Sequence, residues 1–240
     1  MPNKQFMLDE DVPVNIYKRK SNRSLRLSVT ASGEVRVSIP AWAPYSAGLK
    51  FAKSRYDWIL SQKRLSPSLA EGQPIGKAHH LSFKVKNSAS KPASRVTAGA
   101  VVVSYPPGLE ITEAAVQRAA QNGSIRALRA QAEQLLPQRL AGIAEAHNLT
   151  YSGVSIKRLK SRWGSCDHNK VITLNLFLMQ LPWEYIDYVL LHELMHTRVM
   201  RHGPDFWRAM TALQPNTANL RKSLHRYQPV FDSPPDLDVA

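Results

Sequence analysis

Residues 191–207 read LHELMHTRVMRHGPDFW, and this stretch constrains the chain more than any other. In a helix, His192 and His196 stand one turn apart on the same face, so both imidazoles can close on one ion. Glu193, one step round, reaches the open side of that ion. A catalytic zinc needs three protein ligands and leaves a fourth position for water. His202, six residues beyond His196, is the nearest candidate for the third. Gly203 and Pro204 follow at once; proline suits the first turn of a helix, so a new helix through Phe206, Trp207 and Met210 can start there and turn His202 back over the first pair.

The plain alternative is a helix whose histidines are satisfied inside an ordinary core. The neighbours argue against it. Trp183, Ile186, Val189, Leu190, Leu191, Leu194 and Met195 spread round almost the whole helix, which marks it as buried. Two histidines and a glutamate on a buried helix need partners, and a metal provides one.

The remaining pattern is that of a globular mixed chain. At 240 residues it can bury a sizeable core, with one or two domains. Alternation over 14–20 and 24–39 predicts strands, with a hairpin turn at Ala31–Glu34 and a stop at Pro40. Residues 45–65 read as one amphipathic helix, 66–77 as a loop, and 80–85 and 96–104 as a second pair of strands. His79 and His80 are adjacent on a strand, so they point to opposite faces and read as exposed hairpin histidines rather than a chelating pair. Residues 111–147 are helical in composition, with a possible break at Asn122–Ser124 and a kink at Pro137. Strands return near Val154–Ile156 and Val171–Leu176 before Pro182 opens the helix that carries the histidines. The expected organisation is a β-rich N-terminal portion with one helix over 1–108, a metal-binding domain over 109–229, and a flexible tail over 230–240.

A net charge of +14 favours anionic surroundings without choosing among nucleic acid, membrane surfaces and acidic polypeptides. The N-terminus has no apolar core of signal-peptide length, and no stretch approaches the ~18 apolar residues of a membrane span. Cys166 is the single cysteine, which excludes an internal disulfide framework and fits a reducing cytosol. The expectation is a soluble cytoplasmic protein that does not engage a membrane.

Ser161-Arg162-Trp163-Gly164-Ser165-Cys166 lies between two strands, where a turn can set polar groups at the mouth of a site. Ser165 or Cys166 as a nucleophile would need a base and an orienter, and no local spacing identifies either. A structural corner, with Trp163 packing and Gly164 making the turn, is the simpler reading. If the strand Val171–Phe177 has a free edge, an extended substrate could add to it and lie across the metal; an internal strand with both edges paired is the alternative.

Taken together, HELMH, His202 after five intervening residues, GPDFW, SRWGSC and the strand VITLNLFLMQLP resemble the YgjP-like metallopeptidase family. The likeness is closest over Ser161–Trp207 and extends over most of the chain. It implies an α+β, zincin-like fold, one Zn2+ held by His192, His196 and His202, and Glu193 as catalytic acid/base. It also links the chain to SprT-like and WLM proteases, some of which act on proteins attached to DNA, an analogy that says little about substrate. The histidine spacing equals that of metzincins, yet Val199 stands where their turning glycine belongs.

The expected reaction is hydrolysis of a polypeptide through zinc-activated water, with Glu193 passing the proton to the departing amine and no acyl-enzyme. Tyr185, Arg162 and His225 are candidate oxyanion partners; no substrate-binding residue is identified. The competing expectation is a nucleic-acid-binding module with a structural zinc, or a DNA-associated protease. Its support is three basic groups: Lys157, Arg158, Lys160 and Arg162; Arg198, Arg201, Arg208, Arg221, Lys222 and Arg226; and Lys18, Arg19, Lys20, Arg23 and Arg26. Each can equally be a solvated face. A structural zinc is usually closed by four protein ligands, often cysteines, which one cysteine cannot supply.

Overall fold

The computed structural model describes residues 3–8, 12–29, 34–65, 68–159, 162–224, 227 and 237–238. It is a mixed α+β chain that divides into two compact units, one of residues 1–70, 108–121 and 230–240, the other of residues 71–107 and 122–229.

In the first unit, strands β1 (Asn3–Leu8), β2 (Val12–Arg19), β3 (Arg26–Val29) and β4 (Val35–Pro40) form a sheet in the order β1-β2-β4-β3, extended by β12 (Leu237–Asp238) on the outer side of β3. Period-two alternation puts Val12, Val14, Ile16, Leu27, Val29, Val35, Val37 and Ile39 on one face, all buried. Helices α1 (Tyr45–Ser54) and α2 (Tyr56–Leu65) contribute Ala52 and Ile59 to that same core. The single helix expected here is interrupted at Arg55, whose backbone leaves the helical region at φ −118°, ψ 22°. The interruption still leaves Ala52 and Ile59 both fully buried. Gly48 is the point of closest approach: a Cβ there would lie 3.0 Å from both Ile16 and Ile39 side chains. The hairpin turn expected at Ala31–Glu34 falls outside the described residues except for Glu34, which accepts hydrogen bonds from Asn15 and Arg36.

In the second unit, β5 (Pro74–Ile75), β6 (His79–Val85), β7 (Ala93–Val96) and β8 (Ala100–Tyr105) form a sheet in the order β5-β6-β8-β7. The one strand expected over 96–104 is split, because Thr97 accepts and donates around Ala100 and turns the chain back through Gly99. His79 is half-buried in this sheet: its Nδ1 accepts from Gln131 at 2.8 Å and its Nε2 meets the Thr97 carbonyl at 2.9 Å, which leaves no metal-ligating role, while His80 is exposed.

Helix α3 (Ala114–Ala146) runs for 33 residues without the expected break. Gly123 serves close packing: a Cβ there would come 2.5 Å from Val101 and 2.9 Å from Ser94, so the helix lies tight on β7 and β8. Pro137 is accommodated within the helix. A three-stranded sheet, β10-β11-β9, is built from β9 (Gly153–Lys157), β10 (Gly164–Cys166) and β11 (Val171–Asn175). Beside it stand a 3-10 turn (Leu176–Gln180) and helices α4 (Trp183–Met195), α5 (Pro204–Leu213) and α6 (Thr217–Leu224). The start of α4 is anchored from α3: Arg139 grips Asp187 through two nitrogens and lies 4.5 Å over the Trp183 ring. Lys77 adds a hydrogen bond of 2.5 Å to the Leu181 carbonyl. Among the described residues no helix is long and apolar enough to cross a membrane.

Candidate metal centre

Helix α4 is apolar on most of its surface, and Ile186, Val189, Leu190, Leu191, Leu194 and Met195 are buried around it. Its last turn carries His192 and Glu193, and His196 is its C-terminal cap. The chain then turns tightly, with the Thr197, Arg198 and Val199 amides donating back to Leu194 and Met195 carbonyls at 2.9–3.0 Å. That turn is made without a glycine at position 199. Gly203 in extended conformation and Pro204 in the first turn then start α5, as the sequence predicts, and His202 comes back over the helix.

The three Nε2 atoms form a small triangle: His192 to His196 is 3.2 Å, His196 to His202 is 3.0 Å and His202 to His192 is 2.9 Å. Ligands at the ordinary zinc–nitrogen distance of about 2.1 Å with tetrahedral angles would be about 3.4 Å apart, so these nitrogens are within a few tenths of an ångström of a coordination set. Three lone pairs aimed at one point repel unless a cation sits among them. Burial, and then the neighbouring His196, His202 and Arg221, push the His192 pKa down to about 3, and burial lowers that of His196, so both stay in the neutral donor form. The His196 Nδ1 lies 3.1 Å from the Val199 carbonyl, which places the proton on Nδ1 and leaves Nε2 free to ligate. Among the described residues no fourth histidine, cysteine, aspartate or glutamate joins the set. The donors present therefore fit a metal with an open position.

Aromatic rings hold the triangle. Phe206 lies 4.6 Å from the His196 ring centroid in stacked geometry and 4.9 Å from both His192 and His202. Trp207 stacks on His202 at 5.6 Å and 18°, and the Arg221 guanidinium caps Trp207 at 4.3 Å. Thus GPDFW is one device: glycine and proline begin the helix, and the two aromatics seat the three histidines.

Glu193 is buried, 6% exposed, against β10. A Cβ on Gly164 would lie 2.7 Å from Glu193 Cγ and Oε1, so only glycine leaves the carboxylate its place. Burial raises the Glu193 pKa to about 8, opposed by the charge of Arg162. Gly164 therefore acts by lacking a side chain within a strand; the reading of it as a turn-maker is corrected. The turn is made by Asp167, whose carboxylate accepts the Asn169 and Val171 amides at 2.9 Å, and by Lys170 at φ 59°.

Trp163, Ser165, Cys166 and Arg162 line a cavity of about 680 Å³ with the histidines, Tyr188, Arg221 and Tyr227. Burial, followed by Glu193 and Asp167, pushes the Cys166 thiol up, away from the thiolate a nucleophile requires. Tyr185 packs at 4.9 Å on Tyr227 rather than lining the cavity itself. His225, Lys160, Ser161 and Arg226 lie outside the described residues. Tyr188 was missed by sequence reasoning although its position four residues before His192 puts it on the same helix face. Arg221 and Tyr227 carry no such local signal.

Strand β11 pairs with β10 on one side and β9 on the other, so of the two alternatives for this strand the internal one with both edges paired holds. The outer strand nearest the site is β10. Of the basic residues around the site, Arg198 donates to the Asn148 carbonyl, Arg208 pairs with Asp205, and Arg158 lies over Phe177 at 5.7 Å.

Compared with known proteins, residues 23–227 match the family described as YgjP-like, metallopeptidase domain. No curated protein matches by sequence. Two solved structures align with 38% of this chain. One is the metallopeptidase zymogen jannalysin of Methanocaldococcus jannaschii (20% identity, 94% of that chain, TM-score 0.34), and the other the metallopeptidase zymogen abylysin of Pyrococcus abyssi (21% identity, 93% of that chain, TM-score 0.36).

Proposed function

The chain belongs to the YgjP-like metallopeptidase family, and from that premise we propose that it is a zinc-dependent endopeptidase of zincin-like architecture that uses Glu193 as general base. The observation that carries this reading is the triangle of Nε2 atoms at 2.9–3.2 Å with a buried carboxylate from the adjoining residue of the same helix. His192, His196 and His202 would hold the ion. Zinc in such a site supplies Lewis acidity, which acidifies water and polarises the scissile carbonyl.

The chain's own residues supply the rest. Burial favours the protonated Glu193, and the charge of Arg162 together with a bound cation would draw it back to the carboxylate; in that form it takes a proton from water as the new C–O bond forms, and delivers it to the amine nitrogen as the C–N bond breaks. Its low exposure keeps bulk water from competing for that proton. Tyr188, whose phenol is held protonated by burial and by nearby Glu193 against the opposing charge of Arg221, serves as donor to the developing oxyanion. The outer edge of β10 offers main-chain groups to an extended substrate beside Glu193. A structural zinc is disfavoured because the described residues offer three donors and no fourth.

The test is zinc analysis combined with cleavage of an unfolded protein, comparing wild type with Glu193→Gln. Wild type should carry one zinc per chain and cleave; Glu193→Gln should keep the zinc and lose cleavage. Full activity in the variant would remove Glu193 from its role, and a wild type that binds no metal would end the hydrolase reading.

A further inference from the structure

We propose that the end of the N-terminal sheet where Lys4, Lys18 and Trp42 meet binds single-stranded nucleic acid, with phosphates at the two ammonium groups and a base stacked on the indole. The first observation is Trp42 itself. The turn after β4 closes with the Ala43 amide on the Pro40 carbonyl at 3.1 Å, sending Ala43 inward to 2% exposure and Trp42 outward to 81%. A large aromatic left in water beside a well-filled core is unusual unless something stacks on it.

The second observation is the placement of charge. The Lys4 and Lys18 ammoniums both converge on the Tyr45 ring, 5.4 and 5.0 Å from its centroid, and Lys18 also donates to the Ala41 carbonyl at 3.3 Å, one residue from Trp42. Among the described residues neither ammonium has a carboxylate partner. Two like charges held on one ring are stabilised by an anion. Strand register brings more of the same sign: Arg19 stands opposite Pro40, and the exposed Lys20 and Arg23 follow β2 at the same end. Residues 1–70 contain twelve Lys and Arg against five Asp and Glu. Glu34 opens β4 at the other end of the sheet and is occupied by Asn15 and Arg36.

The surroundings select the partner. Among the described residues of this unit, the other strongly exposed large apolar side chain is Met7, and it stands near the far end of β1, away from Trp42. An exposed indole beside cations gathered on a second ring suits a strand whose bases stack on aromatics and whose phosphates meet ammonium groups.

The experiment is fluorescence anisotropy of a fluorescein-labelled oligothymidylate with the purified full-length chain at several salt concentrations. Wild type should bind, with affinity falling as salt rises. Trp42→Ala should weaken binding roughly 10-fold with the salt slope unchanged, and Trp42→Phe should recover most of the loss. Lys4→Glu with Lys18→Glu should weaken binding and flatten the slope. Glu193→Gln should bind as wild type does, so the outcome does not depend on the peptidase reading. Failure of wild type to bind, equal binding by all variants, or preference for phosphatidylglycerol vesicles over the oligonucleotide would overturn the proposal. Thermal melts confirm that each variant is folded.

Discussion

A glycine and a glutamate 29 positions apart pack so closely in the site that no side chain fits between them. Because a methyl on Gly164 would meet Glu193 Cγ at 2.7 Å, Gly164→Ala is expected to displace the Glu193 carboxylate rather than the three histidines. Its cleavage rate should fall on the order of 10²-fold while zinc content stays at wild type, measured by steady-state kinetics beside metal analysis. Tyr188→Phe tests the other side of the reaction. Loss of an oxyanion donor is expected to lower kcat about 10²-fold with KM nearly unchanged. The two histidines of the helix and the adjoining glutamate were legible in the sequence because their geometry is local: four residues make one turn. His202 was legible through Gly203 and Pro204, which announce where the next helix starts. The role of Gly164 was not legible, since it depends on a partner brought close by tertiary packing, and the same holds for Arg221 on Trp207.

At the level of elements, the wall formed by β10, β11 and α4 depends on Asn175. Its side chain is 1% exposed, donates to the Leu159 and Arg162 carbonyls at 2.9 Å each and accepts from the Phe177 amide. Asn175→Ala leaves two carbonyls of the loop before β10 without their donor. It should cost about 2–3 kcal/mol in a denaturant melt, and activity should fall further than the loss of folded protein accounts for, because Leu159 and Arg162 lose their anchorage. Period-two alternation located β2 to β4, and an apolar circumference located α4. Such patterns failed where position-specific contacts decide. Gly123 looks like a helix breaker by propensity, yet the helix continues because that glycine fits between Val101 and Ser94. Val96–Ser104 looks like one strand, yet Thr97 folds it into two.

For the whole molecule, family membership and a mixed α+β build agree with what the motifs imply, while the pairing order of the sheets could not be read from any one segment. If zinc bridges α4 to the turn before α5, its free energy of binding is part of the stability of the second unit. Adding a chelator should therefore lower the thermal midpoint of wild type, by an amount that corresponds to about 4 kcal/mol if free metal stands at a thousand times its dissociation constant, and readdition of zinc should restore it. His202→Ala, lacking one donor, should show a smaller chelator effect in the same calorimetric scan. The brevity of β10 sets a further limit. Three residues in a strand span about 10 Å, so if the outer edge of β10 takes substrate as proposed, it pairs with only a few units of a client backbone. A chain still tied up in its own ladders has no such naked run to offer, so intact globular clients should be spared until heat, damage or incomplete synthesis loosens them.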